Sequence, residues 1–278
     1  MINSSINTSN SSSIVRQINN PNNSSERLST GKRINRASDD VAGLSISESL
    51  INQIRGLEQA LRNTNDGASL IRTAEGSTGQ INEILGRVRE LTVQASNDSI
   101  PSSVRNTIYS EISQMLGEVN NVSSSAQFNN INILSEDMNI GLQTGSNAGQ
   151  HTNLVMSSMN LSSLGLTGFA DLFERASQDN VLLGGQVTSS LIGELDNAIN
   201  IVSSARSALG AVENRLQHTS NNLSNSHGNT SQAMSQIRDA DMAKEAINNY
   251  QNIVQQQASM VMLMHSNLQI GSQLRLLG

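Results

Sequence analysis

The chain has 278 residues, a net charge of -6 and a sequence pI near 5.2; charged residues make up 14% of it and aromatics 2%, and Cys and Trp are absent. Without Cys there is no disulfide framework, thiolate nucleophile or thiolate metal site, and 17 scattered basic residues on an acidic chain argue against nucleic acid as a partner. Three Phe and two Tyr are too few to build a thick globular core, and with Pro only at 21 and 101 long helices go unbroken, so composition predicts a mainly α protein.

Residues 1 to 27 are dominated by Asn and Ser, with Ile2, Ile6, Ile14, Val15 and Ile18 as sparse apolar marks. This stretch has neither a basic n-region nor an apolar h-region, so no cleaved secretory signal peptide is expected. In "RASDDVAG" the paired carboxylates Asp39 and Asp40 read as a helix start, with Ser38 as the expected N-cap and two anions at the positive end of the helix dipole. A seam follows: Leu50, Leu57, Thr64 and Ile71 are spaced by seven, with Ile54, Leu61 and Ala68 between them. It restarts three residues on at Ala74, Ile81, Val88 and Ala95, with Thr78 and Leu85 in the other position, a stammer within one long helix. That helix should end near "SNDSIPSS", where Asp98 or Ser99 is expected to cap a second helix over about Val104 to Val122 with Pro101 in its first turn.

The middle alternates instead. Met138, Ile140 and Leu142, and then Leu154 and Met156, flank a Gly-containing segment at 145–149 and predict a β-hairpin at about 138–157. Helical spacing returns near Val187, with Leu195, Val202, Leu209, Leu216 and Leu223 each seven apart. After the polar "SNSHGNTSQ" it resumes at Ile247, Val254, Val261 and Leu268, with Tyr250 and Met264 alongside. An antiparallel return of the two long helices would bring this last stripe to the N-terminal segment. That segment is too poor in apolar residues to bury it, so other copies of the chain are expected to cover it.

No motif carries chemistry. His151, His218, His227 and His265 lie in separate elements without His-Glu-x-x-His spacing, and there is no Ser/His/Asp set or phosphate-cradling Gly loop. No enzyme, cofactor or metal is therefore expected. The run "MVMLM" suggests a membrane-active amphipathic helix as one alternative, but its polar face is Gln, Ser and Asn rather than the Lys and Arg such helices favour. No stretch approaches the length of a membrane span.

At "LSTGKRINRASDDVAGLSISESLINQIRGLEQALRNTNDGASLIRTAEG" (28–76) the sequence resembles bacterial flagellin of the Gram-positive type, and "RVRELTVQASND" (87–98), "QFNNINIL" (127–134), "LGAVENRLQHTSNNL" (209–223) and "IRDADMAKE" (237–245) continue the resemblance in the same order. The resemblance implies a structural subunit that is exported through the flagellar type III apparatus and polymerises into the extracellular filament for swimming motility. It implies long antiparallel coiled-coil helices with a small β-hairpin insertion. An inner D0 layer would be made by residues 1–38 and 241–278, and a D1 layer by 39–240. The assembly stripe would be Ile247, Tyr250, Val254, Val261, Met264 and Leu268. The partners implied are other copies, an export chaperone, the filament cap and hook-filament junction proteins. A junction protein of the same architecture is the nearest alternative. By analogy with the family, the innate immune receptor TLR5 would be met through Arg87, Leu91 and Glu111, with Arg87 and Leu91 on one accessible helical face.

Overall fold

The computed structural model describes residues 23–97, 99–169, 171–173 and 185–277. The apolar marks at Ile2 to Ile18, Pro21 and the candidate cap Asp98 lie outside the described residues. In chain order the elements are a short helix α1 (23–30), α2 (Val41–Ala95), α3 (Ser102–Ser125), strands β1 (Gln127–Phe128), β2 (Ile131–Asn132), β3 (Met138–Gln143) and β4 (His151–Met156), α4 (Gly185–Arg238) and α5 (Met242–Leu277). The chain divides into two compact units, one holding residues up to Ile54 together with Gly228 onward, the other Arg55–His227.

In the unit Arg55–His227 the predicted seam is the core. Leu57, Ile71, Ile81, Leu85 and Val88 of α2 and Leu195, Val202, Leu209, Leu216 and Leu223 of α4 are all buried, while Leu61 is half-buried. The stammer leaves α2 unbroken: Ile71 and Ala74 are both buried within a continuous 55-residue helix. Thr64, Thr78 and Thr92 sit in the same seam, and each hydroxyl donates to the carbonyl four residues back, at Ala60, Ala74 and Val88, so none of these three buried hydroxyls is stranded. Within this unit three pairs tie α2 to α4: Glu58 with His227 (3.3 Å), Arg72 with Glu213 (3.4 Å) and Arg89 with Asp196 (2.6 Å). The steps from 58 to 72 and from 72 to 89 are 14 and 17 residues, and those from 227 back to 213 and to 196 are 14 and 17 as well. The two helices therefore run antiparallel in one constant register.

Helix α3 is longer than the pattern suggested and begins differently. Pro101 stands at the N-cap with φ -58° and ψ 146° and makes no side-chain cap. Ser99 does not cap the helix; its N–H and hydroxyl both donate to Asn97 Oδ1, at 3.1 and 2.8 Å. A proline already holds the extended dihedral that an N-cap needs, which fixes where the helix can begin without supplying a side-chain cap.

The predicted hairpin is present. β3 pairs antiparallel with β4, with Met138 opposite Met156 and Gln143 opposite His151. It packs closely on α2: a Cβ at Gly67 would overlap Leu142 Cδ2, one at Gly56 would stand 2.9 Å from Ser146 Cβ, and Asn63 Nδ2 donates to the Gln143 carbonyl at 3.0 Å. A second, smaller hairpin, β1 with β2, escaped the sequence reading. Its turn is Asn129-Asn130, both with positive φ (49° and 64°), the backbone that a two-residue turn matching strand twist requires and that Asn tolerates. The segment after β4 also contributes more than expected. Met159, Leu161, Leu164, Leu166, Phe169 and Phe173 are buried, and Phe173 meets Tyr109 edge-on at 5.1 Å and Phe169 at 4.8 Å. Three of the chain's five aromatic rings are thus spent at one place.

Candidate assembly surface

The unit that holds α1 and α5 is built at its base from backbone pairing. Gly31 takes φ +68° directly after α1, and its N–H donates to the Arg27 carbonyl at 2.8 Å, a left-handed helix stop that needs no Cβ. The released strand then pairs with the link between α4 and α5: Ala240 N–H donates to the Gly31 carbonyl (3.0 Å) and Arg33 N–H to the Arg238 carbonyl (2.6 Å). Arg33 Nη2 donates to the Ile237 carbonyl at 2.7 Å, and Arg238 pairs with Glu48 at 3.2 Å.

The acidic residues of "IRDADMAKE" divide the work. Asp239 accepts from the Ser235 hydroxyl at 2.6 Å. Asp241 caps α5, accepting from the N–H groups of Ala243 and Lys244 at 3.1 Å each. Glu245 meets Arg27 of α1 at 3.4 Å. The other acidic pair behaves likewise, with one correction. Ser38 is not the N-cap of α2; Asp40 is, accepting from Gly43 N–H at 2.8 Å. Asp39 closes the preceding turn instead, its Oδ2 accepting from the N–H groups of Asn35 and Arg36 at 3.0 Å each. The bond from Arg36, then that from Asn35, holds the Asp39 carboxyl below the usual carboxylate range. A helix starts where a side chain can reach N–H groups two or three residues ahead, and Asp40 is the last residue before the helix begins at Val41.

Helix α5 has two unlike faces. Glu245 is buried, and Asn248, Asn252, Gln256 and Ser259 are half-buried; these residues recur at steps of three and four and form one stripe, polar throughout. Ile247, Val254, Val261 and Leu268, with Tyr250 and Met264, form the other stripe, which starts two residues later and so about half a turn around the helix. All six are exposed, Tyr250 at 72%, Leu268 at 69% and Val254 at 63%. The large apolar side chains of this stripe thus face outward, the reverse of a helix that packs them into its own core. Leu50 and Ile54 of α2 are half-buried.

The residues expected to meet a receptor are not brought onto one surface. Arg87 is exposed and pairs with Glu90 at 2.8 Å, and Glu111 is exposed, but Leu91 is only 2% exposed and belongs to the core. Spacing explains the correction. Leu91 lies three residues after Val88 and four before Ala95, both buried, so it is part of the seam, and the edge of the buried face runs between Leu91 and Arg87. Among the described residues no cluster of His, Asp and Glu could hold a metal, and no helix is long and apolar enough to cross a membrane.

An in-register helical pair, with an apolar stripe turned outward on the tail helix, defines a class: structural α-helical proteins that complete their packing by association. The family follows from sequence. Residues 2–139 match the bacterial flagellin N-terminal helical region, and residues 192–277 match the bacterial flagellin C-terminal helical region. The chain is 40% identical to a flagellin of Halalkalibacterium halodurans over 254 residues, covering 91% of this chain and 90% of the relative. It is 41% identical to a flagellin of Bacillus subtilis over 276 residues, covering 91% of each. Among solved structures it is similar in fold to a putative flagellar hook-associated protein from Vibrio parahaemolyticus, with a TM-score of 0.60 at 12% identity over 72% of this chain and 100% of that one. The chain belongs to the flagellin family and is a structural subunit of the bacterial flagellar filament, which is extracellular. The architecture is shared with a hook-associated protein, so fold does not separate the two; the sequence match over nearly the whole chain does.

Proposed function

We propose that the outward stripe of α5, Ile247, Tyr250, Val254, Val261, Met264 and Leu268, is the surface through which subunits pack in the core of the filament. One observation carries this reading: among the described residues of α5 the less exposed positions are, Ala246 apart, polar, while its large apolar side chains are exposed. Each large apolar side chain gains about 1.5–3 kcal/mol when water is excluded from it, so a six-residue stripe repeated in every subunit is a strong drive to associate.

In this reading 1–38 and 241–278 form the inner D0 layer, and 39–240 forms D1 around it. The subunit catalyses no reaction. It serves swimming motility, leaves the cell through the flagellar type III apparatus, and meets an export chaperone, the filament cap and hook-filament junction proteins on the way. Receptor recognition by TLR5 would fall to Arg87 and Glu111, with Leu91 acting from inside by holding the helix. The test is seeded growth of purified protein, followed by pelleting and negative-stain microscopy. Wild type is expected to form filaments. Val261→Asp is expected to form none while melting as wild type does, because an unpaired carboxylate in an apolar contact costs several kcal/mol. Normal filaments from Val261→Asp would show that the stripe is not an interface.

A further inference from the structure

Between α1 and α5 lies a polar cleft of about 350 Å³, lined by Asn23, Ser24, Arg27, Glu245, Asn248 and Gln251 among others. Its one carboxylate is incompletely satisfied. Glu245 is only 9% exposed, its Oε1 receives a single long contact from Arg27 Nη1 at 3.4 Å, and its Oε2 is buried with no hydrogen-bond partner. An ionised carboxylate offers about four acceptor sites on its two oxygens, and a buried charge is normally paired and fully bonded. The start of α5 favours an anion at this first-turn position, so Glu245 has reason to stay charged and reason to need a second donor.

Resting on the assembly reading above, we propose that this cleft receives a lysine or arginine side chain from a second copy of the chain, which completes Glu245. Arg27 supplies one positive charge, at long range and to Oε1 alone, and the remaining lining side chains are neutral amides and a hydroxyl, so a second cation at Oε2 is what the cleft does not itself provide. A second copy is the body at hand, because the apolar stripe on the opposite side of the same helix requires neighbours around α5. The chain also has cations to give. Lys32 and Lys244 are exposed, and neither pairs with a carboxylate among the described residues. An apolar contact on one side of the helix would set how tightly subunits pack, and a single buried ion pair on the other would set which register they adopt.

The experiment is a double-substitution cycle on full-length protein, reading the critical concentration for seeded filament growth. Arg27→Gln removes the intrachain pair and sets the scale for any loss of order within the subunit, checked by the circular dichroism of the monomer. Glu245→Gln removes that pair and the site for the incoming cation. Glu245→Gln is expected to raise the critical concentration about tenfold or more beyond Arg27→Gln, and to do so again when added to Arg27→Gln, as loss of a charge-assisted bond implies. If adding Glu245→Gln to Arg27→Gln changes nothing, the carboxylate serves Arg27 or bound water alone and the proposal is overturned, with the assembly reading intact. If wild type forms no filament at all, both fail together.

Discussion

In the unit Arg55–His227 the heptad stripes of α2 and α4 point at each other and vanish from the surface, whereas in α5 a stripe of the same spacing is left outside. The two patterns are alike when read as sequence. The difference lies in what the chain itself supplies to meet them. The first unit has α2, α3, α4 and the segment after the hairpin, each contributing to one core. Among the described residues α5 meets α1 through polar side chains, anchored by one ion pair at its base. In the assembly reading proposed above, such a subunit holds one region as a finished body and leaves the other to be finished by its neighbours.

The sharpest way to break that comparison is to place the same charge in both stripes. Ile81→Asp buries a carboxylate in a closed core and is expected to cost several kcal/mol, abolishing cooperative melting of the monomer by circular dichroism. Val261→Asp is expected to leave that melting unchanged and to stop filament growth in a pelleting assay. Equal effects of the two on the monomer would mean that α5 is already packed in the isolated subunit.

A smaller effect separates Leu91 from its neighbour Arg87. Leu91→Ala should cost about 2–5 kcal/mol as a buried truncation, read as a lower melting temperature, while Arg87→Ala should stay within about 0.5 kcal/mol. If a receptor assay loses signal with Leu91→Ala, the loss should be recovered by a compensating stabilisation elsewhere in the unit, which loss of a direct contact would not allow.

Two glycines in α2 give opposite signs. Gly67→Ala drives a methyl group into Leu142 and is expected to destabilise the hairpin's seat by about 1–3 kcal/mol. Gly76→Ala meets nothing within 4 Å on an exposed helix position and should stabilise by about 0.5–1 kcal/mol. Urea midpoints of the two variants decide it; a gain at Gly67 would mean the hairpin does not sit on α2.

The smallest effect is at the entrance to β3. The Asp137 carboxyl accepts from the N–H and the hydroxyl of Ser158, at 2.8 and 3.0 Å, and these bonds hold its pKa below the usual carboxylate range. The shift is a depression, so its contribution is present above the ordinary carboxylate pKa and fades as pH falls through the lower folded value. Amide exchange at Ser158 should lose protection on acidification, relative to neighbouring amides, and Asp137→Asn should show the weaker protection at neutral pH with little further change. Protection at Ser158 that ignores pH would remove the role assigned to Asp137.

Much of this was legible along the chain. The α2 and α4 seams, the hairpin at 138–156 and the polar-apolar division of α5 all follow from spacing, because a helix or strand repeats its faces at a fixed period. The misses are local and have a common cause. Ser38 and Ser99 are good capping residues in composition, yet Asp40 and Pro101 hold the cap positions, because a cap is fixed by where the helix begins and spacing locates that only to within a few residues. The Asn129-Asn130 turn was visible as a dipeptide but had strands of only two residues beside it, too short for alternation to register. Leu91 was misplaced because steps of four join residues across the margin of a buried stripe as readily as within it.

By itself the sequence determined the long helices, their seams, the absence of catalytic spacing and the family, since each depends on residue type and separation along the chain. Tertiary structure alone decided the constant antiparallel register of α2 with α4, the gathering of Tyr109, Phe169 and Phe173, the burial of Leu91 and the half-satisfied Glu245 beside Arg27. Those depend on distances between residues far apart in the chain, which no periodicity encodes. It also decided which side of α5 is covered: whether a heptad stripe is met by the chain's own side chains or left facing outward depends on what packs opposite it, and among the described residues the packing on α5 falls on the polar side.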